Sequence, residues 1–295
     1  MNDLGKPSLK VAFISVFFVY TVWGIQPLYW KYFESVPLAH ILAHRILWSS
    51  ILLLPLVVLT NRRQALISLF CSKAQVQSSI VCSLAIGFNW LVNIYAAASK
   101  QVVEASLGHY ITPVLTIIIG LYLLKEKVDL HKRIATVFAI VGVLILTIYV
   151  GRLPVIALFL ILSFTTYTFF KKISQVDSLV GITAETLILA PFALAYLFVQ
   201  QRAGLPVFAD NSIKTIGLLI STGIFTSVPL LLFSYGVRGM PLSSLGFIQY
   251  YAPTLSLGIG IFIFKEAFSS VHLISFGFIW LAILIVLFTP MIKRL

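Results

Sequence analysis

PVLTIIIGLYLLKE, residues 113 to 126, is nearly repeated as PTLSLGIGIFIFKE, residues 253 to 266. Six of the fourteen paired positions are identical: Pro113/Pro253, Leu115/Leu255, Ile119/Ile259, Gly120/Gly260, Lys125/Lys265 and Glu126/Glu266. Each copy is an apolar segment with a proline at its start and a lysine-glutamate pair at its end. The 140-residue offset between the copies marks an internal repeat, the kind of sequence symmetry from which transporter folds are built.

The surrounding composition says which solvent the repeat lives in. Hydrophobic residues make up 60% of the 295, charged residues 10%, and the mean hydropathy is +1.03. A soluble domain carries about a quarter charged residues, so this is an all-α polytopic membrane protein. The net charge of +12 comes from short basic clusters between apolar runs, not from a continuous basic surface, which argues against a nucleic-acid partner. Cys71 and Cys82 have no metal-binding or CxxC spacing and read as a free thiol and a small core residue. The first apolar run, after Lys6 and Lys10, is too long for a signal-peptide core and reads as a retained first span.

Apolar runs bounded by charged, proline or glycine-containing turns give ten spans: 11–30, 39–60, 76–98, 103–124, 132–150, 153–170, 179–200, 213–237, 243–264 and 271–290. With the N-terminus in the cytoplasm, fourteen of the 21 basic residues fall on the inner side, Lys125, Lys171 and Lys172 among them. Six, including Lys31 and Lys265, fall outside, and Arg45 lies within a span. The bias follows the positive-inside rule and puts both termini in the cytoplasm.

The repeat superposes span four on span nine and span five on span ten. The unit is therefore five helices, residues 1–150 and 151–295. An odd unit enters the membrane from the opposite side the second time, so the halves form an inverted pair. Ser106-Leu107-Gly108 and Ser244-Leu245-Gly246 match at an offset of 138, two residues short of the later offset.

With Trp23-Gly24 in span one, His44-Arg45 in span two, GFNW at 87–90, EASLGHYITP at 104–113 and Lys125-Glu126, the whole chain resembles the RarD group of EamA-type transporters in the drug/metabolite transporter superfamily. The resemblance implies a ten-helix permease of the bacterial inner membrane, often labelled a chloramphenicol-sensitivity protein, and favours export. Lys125 stands where many relatives place glycine, which argues against a tight turn there.

Several side chains are candidates for the transport pathway. Pro113 and Pro253 each remove a backbone donor and crowd the carbonyl four residues earlier, so both helices are expected to kink or loosen. Matched interruptions of this kind point to a central site, with a packing kink as the plainer alternative. Asn89 and Asn93 share a face of span three with Trp90 alongside, either lining a pathway or bonding a neighbouring helix. Gln249 and Tyr250 before Pro253, with Tyr110 opposite, form a second wall. Trp23 lies deep enough to contact an aromatic solute or simply to pack. Arg45, Glu104 and Glu185 are charges inside spans and candidates for gating or coupling, with Arg45–Glu104 the first pair to test. Glu126 and Glu266 sit beside lysines at span ends and read as solvated interfacial pairs. His109 is a candidate for proton coupling, whereas His40 and His44, four apart, lack a third ligand for a metal.

These features favour a secondary transporter of small organic metabolites or drugs working by alternating access around a midplane cavity. Small solutes and membrane lipids are its expected partners, and no cofactor is expected. The chain has no Walker, HExxH or GxSxG motif, so an ATP-driven pump and an intramembrane lipid-modifying enzyme are both weaker readings. A non-transporting sensor or assembly protein remains as the third.

Overall fold

The computed structural model describes residues 7–33, 36–98, 102–151, 155–210, 212–263, 265 and 269–292. Among them, all regular structure is helical, as a chain without water at hand must be to satisfy its own backbone. The order is α1 (Leu9–Trp30), α2 (Leu38–Leu59), α3 (Arg63–Cys71), α4 (Lys73–Ala98), α5 (Val102–Ile118), α6 (Leu130–Val150), α7 (Val155–Ile173), α8 (Ser178–Arg202), α9 (Ile213–Arg238), α10 (Leu242–Gln249), α11 (Tyr251–Phe262) and α12 (Ser270–Ile292). Eight of the helical stretches are long and apolar enough to cross a bilayer, with Leu242–Phe262 counted as one; Gly108–Leu123 and Ser270–Val286 are shorter apolar helices. This is a multi-pass membrane protein. Every apolar run read from the sequence lies on helix, but the helix α3 between Arg62 and Lys73 was not expected. Its Leu69 is fully buried against Val180 and Ala184 of α8, while Ile67 and Phe70 stay exposed.

Apart from α3, each helix packs chiefly on helices that do not adjoin it in sequence. α6 lies on α12, α2 on α8 and α9, α4 and α5 on α7, and α1 on α9 and α11; α5 also crosses α10. Contacts distinguish the two ends of the bundle. At one end, which carries Lys125, Arg62 meets Asp177 at 2.7 Å, Arg238 donates to the Val176 carbonyl, and Lys172 donates to the carbonyls of Val237 and Met240. At the other, which carries Lys31, Tyr29 and Phe33 pack with Phe208, Leu218 and Leu219.

The repeated segments depart from ideal helix in different ways. α5 runs through Pro113 without interruption and loosens six residues later into a π-helical turn, Ile119–Leu123. In the second copy the helix breaks at Tyr250, three residues before Pro253, beside Gln249, whose carbonyl the proline leaves without its usual donor. Both copies end in a left-handed residue, Lys125 at φ +50° and Lys265 at φ +57°. The tight turn that Lys125 argued against therefore forms without glycine, with a lysine in a conformation costing about 1–2 kcal/mol.

α10 is helical from Leu242, but Pro241 before it has no side-chain oxygen to cap the first amides. The Glu126 carboxylate supplies the cap, accepting from the Leu242 N–H at 2.7 Å and the Ser243 N–H at 2.9 Å. Glu126 is thus no solvated interfacial pair, as read from the sequence; it joins the end of the first copy to the start of α10, the helix that leads into the second. Glu266 lies outside the described residues. The approach is close because Gly120 and Gly246 lack side chains: a Cβ on Gly120 would sit 2.7 Å from the Ser243 nitrogen, and one on Gly246 would sit 2.7 Å from the Pro113 carbonyl oxygen.

Gly246→Val is expected to lower stability in detergent by roughly 1–3 kcal/mol, the usual cost of overpacking a tight contact. Gly217→Ala, where nothing lies within 4 Å of an added methyl, should leave the melting temperature unchanged or higher. Fluorescence-detected thermal unfolding of the two variants checks the pair.

Candidate functional site

The candidate residues fall into three groups. The first lies toward the Lys31 end. α2 brings Arg45 between two indole faces, its guanidinium carbon 4.6 Å from the Trp90 ring centre and 5.2 Å from that of Trp30. Its Nε donates to Thr226 Oγ1 of α9 at 3.0 Å. Among the described residues no acid pairs with it, and the side chain of Glu104 lies outside them. On α4, Asn93 follows Trp90 by three residues and so shares its face. The Asn93 amide donates to the Asn89 carbonyl at 2.9 Å, and its Oδ1 lies 3.3 Å from His109 Nε2, the donor in this pairing. Arg45 and Asn93 are half-buried and His109 is exposed, although protein surrounds both Arg45 and His109. These side chains therefore look onto an open recess within the bundle.

Asn89 does something else. It is buried and donates to the Leu160 carbonyl at 3.2 Å and to Ser163 Oγ at 3.0 Å, tying α4 to α7. The plainer of its two readings, interhelical bonding, describes its contacts.

The second group is a cage of rings at mid-depth. Trp23 packs at 5.3 Å from Tyr20, 5.8 Å from Phe164 and 5.5 Å from Phe233, and Tyr167 stacks on Phe233 at 6.1 Å. The Gln249 amide is buried and turned toward the Tyr20 hydroxyl without closing a hydrogen bond; both groups lack a partner among the described residues. Unpaired buried polar atoms beside partly open Trp23 and Phe164 are what a solute with polar edges and an apolar body would satisfy. Tyr20, Phe164, Tyr167 and Phe233 were not singled out in the sequence, where aromatics on apolar helices carry no mark. Tyr110 and Tyr250 do not join this cage: Tyr110 packs edge-on against Phe276, and Tyr250 is buried with Val114 and Ile117 in a separate core.

The third group lies toward the Lys125 end. Lys171 and Glu185 form a buried ion pair, each about 4% exposed, with the Lys171 ammonium 5.4 Å from the Tyr167 ring centre. Lys171 is thus an interior residue, not one of the interfacial lysines counted for membrane orientation. It is also a nearer partner for Glu185 than anything the sequence had suggested. Ser83 donates to the Glu185 backbone carbonyl, so α4, α7 and α8 meet here.

His40 and His44 face separate tasks. His44 Nδ1 accepts from the Trp48 indole at 3.2 Å, so Nε2 carries the proton and donates to the Val207 carbonyl at 2.8 Å. His40 Nδ1 meets the Tyr196 hydroxyl at 2.9 Å. A cleft of about 330 Å3, lined by His44, Trp48, Phe198 and Phe208, lies between α2 and α8, apart from the recess at Arg45.

The fold is a multi-pass helical membrane bundle, and comparison with known proteins gives its family. The sequence pattern of the EamA-like transporter family matches residues 10–148. "Uncharacterized transporter YojE" of Bacillus subtilis is 38% identical over 284 residues, 95% of this chain and 93% of that one. "Protein RarD" of Escherichia coli is 35% identical over 266 residues, 90% of each chain. A crystal structure of a protein only 15% identical shares the fold with a TM-score of 0.72, over 94% of this chain and 97% of that one. The chain belongs to the RarD group of EamA-type transporters, within the drug/metabolite transporter superfamily.

Removing one partner of a buried ion pair leaves the other charge stranded in a low-dielectric interior. Lys171→Met is expected to cost roughly 3–5 kcal/mol of stability, and Lys171→Met with Glu185→Leu to recover most of it. Denaturant titration of both variants in micelles measures the difference.

Proposed function

We infer that the protein is a secondary transporter of small organic metabolites or drugs that works by alternating access, with two inverted five-helix halves, residues 1–150 and 151–295, rocking around a shared chamber. The observation that carries this reading is the asymmetry between the ends. The recess at Arg45, Asn93 and His109 has open surface, while at the Lys125 end helices are tied across by Glu126, Lys132, Lys172, Arg62 and Arg238. Ties also cross toward Lys31, from Tyr29 to Ser221 and from His44 to the Val207 carbonyl, yet Arg45, Asn93 and His109 keep accessible surface there, and a recess reached from one side is what one access state of such a cycle presents.

The packing supports the two halves. Exchanging α1 with α7, α2 with α8, α4 with α9, α5 with α10 and α11, and α6 with α12 turns the set of main helix contacts into itself: α1 on α11 becomes α7 on α5, and α1 on α9 becomes α7 on α4. The exchange leaves α6 on α12, α2 on α8 and α5 on α10 unchanged, as contacts on a twofold axis would be. In this reading the chain makes ten crossings of the bacterial inner membrane with both termini in the cytoplasm, and the open recess faces outward. Export is the favoured direction, by resemblance to the family.

Coupling to protons is part of the proposal. His109 at the recess and Glu185 paired with Lys171 are the groups to carry it, with Glu104 as a third. His109 and the Lys171–Glu185 pair stand where a proton would change the local charge balance.

Purified protein in liposomes tests the function directly, using flux of a panel of amino acids, nucleosides and amphenicols with and without a pH gradient. Arg45→Ala and Asn93→Ala are expected to reduce the flux of any transported solute by about tenfold or more, equivalent to roughly 1.4 kcal/mol, with the fold retained by circular dichroism. Unchanged flux in both would put the pathway on other helices.

A further inference from the structure

The open face of Arg45 specifies the chemistry of the cargo. A guanidinium within a membrane bundle is normally covered by a carboxylate or by several carbonyls. Among the described residues only Nε is used, by Thr226, and the guanidinium lies over two indole rings, those of Trp30 and Trp90. Among the described residues neither Nη makes a hydrogen bond, and the side chain keeps accessible surface in the recess. The rings and Thr226 fix the orientation of the fork, so little further entropy is lost when a planar acceptor meets it. Asn93 and His109 stand along the same wall, and the aromatic cage of Trp23, Phe164 and Phe233 lies deeper.

Resting on the transport reading above, we propose that Arg45 is a binding residue for the cargo's carboxylate, and that the transported class is small organic monoacids with an aromatic or apolar body. One guanidinium, with no lysine or acid in contact with it among the described residues, balances one negative charge. A planar carboxylate matches its two parallel N–H donors, and the cage receives the apolar body. The charge is met first in the recess, and the ring then settles on Trp23 and Phe233.

The test compares acids with their uncharged isosteres: phenylacetate with phenylacetamide, indole-3-acetate with indole-3-acetamide, and N-acetylphenylalanine with its amide. Binding to the purified full-length protein is followed by quenching of tryptophan fluorescence and by calorimetry. At least one acid is expected to bind about tenfold or more tighter than its amide. In Arg45→Gln the ratio should fall to within about twofold, and Arg45→Lys, a charge without the fork, should lie between. Thr226→Val, which keeps the charge but frees Nε, should weaken the preference without abolishing it, and this controls for misfolding of the Gln variant. Equal binding of acid and amide in the wild type, or an acid preference that survives Arg45→Gln, would overturn the inference. So would flux of uncharged solutes with no acid bound, which would leave the transport reading standing. Absence of flux for every class of solute would overturn the transport reading and this inference with it.

Discussion

The crossing of α5 over α10 joins the first copy of the repeated segment to the helix that leads into the second. A helix that starts inside a low-dielectric bundle exposes amides that water cannot reach, and each unsatisfied one costs several kcal/mol. α10 starts after a proline that cannot cap it, so the carboxylate of Glu126 is brought in from the far end of the first copy. Two glycines, Gly120 and Gly246, let the backbones come close enough for that bond. The left-handed Lys125 then turns the chain so that Glu126 points back at α10. One interaction between a carboxylate and a helix end thus explains the repeated lysine-glutamate pair, at least in its first copy.

That contact lies at the Lys125 end of the bundle. Toward the other end Arg45, Asn93 and His109 keep accessible surface. The polar groups are graded along this axis: a single cation in the recess, unpaired amide and phenol groups in the aromatic cage, and a closed ion pair below. In the transport reading proposed above, a solute descending this path would meet charge, then ring faces, then the Lys171–Glu185 pair.

The helices were legible because apolar run length is a direct consequence of bilayer thickness, and no competing pattern disguises it. α3 was missed for the same reason: its nine residues, too short to span, read as a basic loop. Pairings were not legible. Lys171 sits at a helix end, where basic residues normally face water, and nothing in its neighbours signals that its long side chain turns inward to Glu185. Glu126 hid in the same way, beside lysines, since a cap taken by a remote helix leaves no local spacing. At Pro113 the expected break is absent: α5 passes through and the loosening appears one to two turns later. Arg45, Trp90 and Asn93 were visible because charge and amide groups are rare on such helices, whereas Tyr20 and Phe233 became visible only by their position in the fold.

The central claim is that the two copies of the segment run in opposite directions across the membrane. Lys125→Cys and Lys265→Cys, each in a background with Cys71→Ser and Cys82→Ala, can be reacted with an impermeant maleimide in right-side-out and inverted vesicles. The account predicts labelling of position 125 from the cytoplasmic side and of position 265 from the opposite side. Labelling of both from one face would contradict it.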